Sequence, residues 1–350
     1  MIVLHPNRRQ FCVALAATTS GRARAAVEPL RVLAWPGYAD PDVVRTFEQR
    51  HSSRVEITVI DSDLDLWNKI IANGAQDFDV FAVNTAELQR YIRKGLVVGI
   101  ATEQVPNLAR QRPRFRDLKS IPGIVHGGVV YAVPYTYAEM GLIYDQQQMS
   151  QAPESLSALW DERYRGKVVA YNGGTHNFSL AALSLGLDSP FKLGKSDWPR
   201  AIDRLIALRR NVTGFYTRPD ESVALFKHRQ AAVMFANFGK QQLQLCKAAG
   251  LNVGYALPRE GALAWLDCWV ITRSARNLAL ATAWINYLLE AEPGQVLTSR
   301  QGLSNTTSAE PDDEANDMLR WLQPVESEEH RNQLWSRIVS GDRASKVLAS

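Results

Sequence analysis

Residues 261–271 read GALAWLDCWVI. Asp267 is the one charged side chain in this run, and Trp265 and Trp269 stand two positions to either side of it. A carboxylate taken out of water without a partner is strongly disfavoured. Either a cation elsewhere in the chain pairs with Asp267, or one arrives from outside. An ammonium would suit the second case. The carboxylate supplies charge-assisted hydrogen bonds, and each aromatic face adds roughly 0.5–2 kcal/mol.

Other stretches carry weaker signals. Asn172-Gly173-Gly174 precedes a helical pattern; such a turn can hold an anion at a helix start and is equally an ordinary turn. His176 follows it as a lone histidine. Asp61, Asp63 and Asp65 alternate ahead of LWNKI, a pattern expected to cap a helix. The chain has no G-x-S-x-G, HExxH or C-x-x-C motif, so no catalytic residue, metal ligand or cofactor is expected. Cys246 and Cys268 are left either to bridge or to stay buried as thiols.

The net charge of +4 comes from one place. Residues 1–26 hold Arg8, Arg9, Arg22 and Arg24 and no acid, so the remainder is neutral overall. That excludes a general basic surface for nucleic acid. The same segment has a twin arginine, the short apolar run CVALAA and an Ala-Arg-Ala site. It reads as a twin-arginine export signal, removed on maturation, which places the protein in the periplasm.

The elements that must position Asp267 alternate. LRVLAWPGY (30–38), RVEITVID (54–61) and FDVFAV (78–83) read as strands. Helical patterns 41–51, 64–74 and 85–95 lie between and after them, with Asp40 as an N-cap and glycines closing the second and third. The middle repeats the alternation, with strands at 166–173, 231–237 and 251–258 and helices at 177–186, 198–211, 222–230 and 239–250. Residues 275–302 read as one helical stretch and 321–341 as a last helix. The fold class is α/β, with mainly parallel sheets flanked by helices.

Several segments resemble the polyamine-type solute-binding proteins of bacterial ABC importers. These are LRVLAWPGYADPDVVRTFEQR, YAVPYTYAEMGLIYD, SLSALWDERYRGKVVAYN and EGALAWLDCWVITRSARNLALATAWINYLL. The resemblance implies a type II periplasmic binding protein of two lobes, 27–135 plus 262–305 and 136–261 plus 306–350. A small amine would bind in the interlobe cleft by hinge closure, in a monomer that delivers it to an inner-membrane permease. It implies ligand contacts at Trp35 and Tyr38 on the aromatic turn, Asn84 and Thr85 after the third strand, His176, Phe235, and Trp265 and Asp267 on the family's Trp-x-Asp. The chain also departs from the family. Gly173 and His176 stand where acids grip the far amine, Lys240 follows Phe235, and Leu303 replaces an aromatic. One amine anchor survives, which favours a small amine, or a zwitterion with its acid end toward His176, Lys240 or Arg218. The competing readings are an exported two-lobe enzyme and a carrier of an unrelated solute.

Overall fold

In the computed structural model, residues 28–307 and 318–349 are described; the segment expected to be an export signal lies outside them. The first lobe is built on the parallel strands Val55–Val59, Leu30–Ala34 and Val80–Asn84, in that spatial order. Strand Ala262–Thr272 runs antiparallel beside Val80–Asn84, placing Asp267 opposite Asn84. Strand Val133–Asp145 follows and carries the sheet across. Residues 133–140 pair with Ala262–Thr272, and residues 141–144 pair with Val233–Ala236. Beyond lie the parallel strands Val168–Tyr171 and Val212–Tyr216. Strand Val133–Asp145 is thus shared by both halves.

Local chemistry sets the helices. Asp40 caps Pro41–His51 by accepting from the amide of Asp42, with Pro41 at the first turn, where its missing N–H costs nothing. Asn84 ends a fully buried strand and caps Thr85–Arg93, accepting from the amide of Glu87 at 2.9 Å. The second helix, Asp63–Ala72, is capped by Ser62 rather than by an aspartate. That frees the Asp63 carboxylate for another use.

Two helical stretches divide. Residues 275–302 form Leu278–Leu288 and Ala291–Gln301. In a continuous helix the ring of Pro293 would strike the carbonyl of Leu289, and no N–H would be available to it. At the carboxyl end, Leu319–Trp321 is a strand paired with Ala262–Ala264. Only Glu328–Val339 is helical. Trp321 packs on Phe115 and Tyr137 of the first lobe, and Thr306 bonds to the carbonyls of Pro134 and Tyr135. From there the chain returns to helix Glu328–Val339, which packs on helix Gly174–Ser184.

Arg331 holds that return in place. It is fully buried, pairs with Glu326 at 2.8 Å, and donates to the Thr175 carbonyl and Ser179 Oγ of helix Gly174–Ser184. Arg331→Ala would strip three partners of a donor and leave a void. We expect a loss of about 3 kcal/mol, read as a lower urea midpoint at unchanged slope.

Candidate functional site

The two lobes line a partly open cavity at the carboxyl ends of the strands. Asp267 is 5% exposed and reaches its wall through a bulge. Asp267 pairs with Thr136 but Cys268 pairs with Pro134, so the register slips between them. Bulges of this kind re-aim side chains beside binding sites. Tyr38 Oη donates to Asp267 Oδ2 at 2.5 Å. Tyr135, the residue skipped by the bulge, donates to the Tyr38 carbonyl at 2.9 Å and meets its ring edge-on. The irregularity that turns Asp267 inward thus also fixes the tyrosine that orients it.

The remaining walls come from both lobes. Trp35 and Pro36 arrive on the turn after the first strand; Trp35 Nε1 is buried without an acceptor among the described residues. Trp265 lines the cavity and donates Nε1–H to the Asn237 carbonyl at 2.9 Å. From the second lobe come Tyr171, His176, Asn237, Phe238 and Gln241. His176 stacks on Tyr171, with its Nδ1 2.8 Å from Asn237 Oδ1. Gln241 donates across the cleft to the Pro36 carbonyl at 3.2 Å. On the opposite flank, Arg90 of the first lobe pairs with Glu328 of the second at 3.2 Å. The cleft is therefore bridged on both sides.

Burial dominates the electrostatics. It pushes the Asp267 carboxyl up to about 8, and the nearby Asp63 carboxylate adds to the rise, while the Tyr38 hydrogen bond opposes it. Asp63, which also lines the cavity, is pushed up to about 6, again chiefly by burial, with Arg90 opposing. Burial lowers the His176 pKa, so its imidazole is neutral near pH 7.

Of the eight residues expected from sequence, Trp35, Tyr38, Asn84, His176, Trp265 and Asp267 line the cavity. Thr85 and Phe235 do not. Thr85 is buried where its helix begins. Phe235 is fully buried on a central strand, while Phe238, past the strand end, supplies the ring. The cations suggested for a ligand carboxylate are also elsewhere. Arg218 pairs with Asp220 in solvent, and Lys240 pairs with Glu139 at 3.1 Å. Among the described residues that line the cavity there is no lysine or arginine. The amide of Gly174 is taken by Asn332 Oδ1, so the glycine turn does not offer that donor to an anion. Cys246 and Cys268 are buried free thiols. Sequence reasoning missed Asp63, Tyr171, Asn237, Phe238 and Gln241. The strand-end placement of Tyr171, Asn237 and Phe238 was the available signal.

Residues 42–318 match the model of the bacterial extracellular solute-binding protein family. The putrescine-binding periplasmic protein PotF of Escherichia coli is 24% identical over 292 residues, covering 80% of this chain and 78% of that protein. A putrescine/cadaverine-binding protein of Pseudomonas aeruginosa is 23% identical over 351 residues, covering 93% and 97%. Among solved structures, the spermidine/putrescine ABC transporter substrate-binding protein PotD of Streptococcus pneumoniae superposes with a TM-score of 0.70 at 20% identity. That match covers 91% of this chain and 99% of that one. The likeness shows the two-lobe type II fold.

Proposed function

The chain belongs to the bacterial extracellular solute-binding proteins, and on that premise we propose that it captures a small cationic amine of the polyamine class for an ABC importer. The carrying observation is the charge of the cavity: two carboxylates, Asp63 and Asp267, aromatic walls, and no lysine or arginine among its described lining residues. An ammonium satisfies that set, whereas the carboxylate of a zwitterion would meet a neutral His176 and two acids. The names of the Escherichia coli and Pseudomonas relatives, which specify putrescine, point the same way.

Capture proceeds by closure of the two lobes about strands Val133–Asp145 and Ala262–Thr272, bringing Tyr171 and Phe238 over a ligand seated on Asp267. Export by the segment 1–26, a periplasmic location and delivery by a monomer to an inner-membrane permease complete the proposal.

Calorimetric titration of the chain from residue 27 with putrescine, cadaverine, spermidine and γ-aminobutyrate tests the assignment. Saturable binding of a diamine or triamine, with γ-aminobutyrate weaker, is the expected result. Binding of the zwitterion alone, or of none of the four, would refute the proposal.

A further inference from the structure

The sequence offers no second acid after strand Val168–Tyr171, where the family resemblance would place one. The structure supplies a carboxylate from the opposite side. Asp63 lies where this cavity meets a wider cleft, and it lines both. Asn84 Nδ2 donates to Asp63 Oδ1 at 3.0 Å, and Asn84 stands directly opposite Asp267 on the neighbouring strand. The two carboxylates are therefore set by one cross-strand pair. The other oxygen of Asp63 receives no hydrogen bond among the described residues. The nearby cation is engaged elsewhere. Arg90 donates to the Asp63 backbone carbonyl at 3.0 Å, pairs with Glu87 and Glu328, and lies 4.4 Å from the Trp67 ring centroid. Asp267 faces the same cavity: it is buried and accepts from Tyr38 through Oδ2, and its Oδ1 receives no hydrogen bond among the described residues.

We infer that Asp63 is a second ammonium anchor, supplied by the first lobe, and that it makes the site selective for ligands with two cationic amines over those with one. This rests on the amine reading of the cavity. One ammonium sits on Asp267 among Trp35, Tyr38 and Trp265. The other sits on Asp63, at the mouth of the wider cleft, where a longer chain can continue. Burial raises the Glu87 pKa well above the usual carboxylate range, which leaves Asp63 and Glu328 as the two acids facing the single guanidinium of Arg90, so the local charge still favours a further cation.

The test compares putrescine with n-butylamine, which has the same carbon chain and one ammonium. Titrations use wild type, Asp63→Asn, Asp63→Ser and the control Asp65→Asn, whose carboxylate pairs with Lys69 on the helix surface. Wild type and the control are expected to prefer putrescine by at least about tenfold. Both Asp63 variants are expected to collapse that preference, weakening putrescine by about tenfold or more and n-butylamine by less than about threefold. Asparagine retains an acceptor for Asn84, so the first variant should melt as wild type does. A preference that survives both variants, or an equal loss for both amines, overturns the inference. Failure of wild type to bind either amine instead overturns the amine reading beneath it.

Discussion

Asp267→Ala is expected to weaken diamine binding by about 2–4 kcal/mol, or roughly 30- to 1,000-fold. The carboxylate is the more buried acid of the cavity, and its one hydrogen-bond partner among the described residues is a hydroxyl, not a cation. Removing it leaves a bound ammonium facing aromatic rings and the more distant Asp63. Asp267→Asn separates lost binding from lost folding. Because burial raises the Asp267 pKa to about 8, the folded protein holds that proton more tightly than the unfolded chain does. This group's contribution to stability is therefore greatest below about pH 4 and is lost as pH rises toward 8. At pH 9 the wild type carries an ionised, uncompensated carboxylate and the asparagine variant does not. The variant should then melt higher than wild type in the absence of ligand, yet gain little on adding putrescine. Equal ligand-induced shifts in the two proteins at pH 9 would show that Asp267 does not contact the amine.

The sequence made the scaffold readable because hydrophobic pattern and capping agreed along most of it. A nearly continuous apolar strand such as Val80–Asn84 has few alternatives to a buried parallel position. Asp267 was legible for the opposite reason, as the one residue at odds with its surroundings. Asp63 was hidden by a local ambiguity. Three alternating acids before a helix satisfy the rules for a cap, and sequence cannot tell that Ser62 takes that role and turns Asp63 into the cleft. Phe235 and Phe238 show a second limit. Both lie near the end of one strand, and three residues decide whether a ring is core or cavity wall. The bulge beside Asp267 depends on Pro134 and the skipped Tyr135 of a partner strand over 130 residues away in sequence, a pairing that no local pattern encodes.

The raised pKa of Asp267 also couples ligand capture to a proton. The free site is mostly protonated at pH 7 and must ionise to hold an ammonium as a charged pair. Apparent affinity for a diamine should therefore rise with pH, by nearly tenfold between about 6 and 7 and about fivefold between 7 and 8, and level off above 8. The plateau ends near pH 10, where an alkylamine of lysine-like pKa of about 10.4 starts to lose its own charge. Burial raises the Tyr38 pKa and lowers that of His176, so neither gains or loses much charge between pH 7 and 9 and Asp267 sets the slope there. Asp63, raised to about 6, adds a second loss at lower pH. Near pH 7, binding should release close to one proton, seen as a calorimetric enthalpy that varies linearly with the ionisation enthalpy of the buffer. Asp267→Asn should abolish that release near pH 7 and flatten the profile above pH 7. Affinity independent of pH from 6 to 9 in the wild type would mean that the amine does not meet a protonated Asp267.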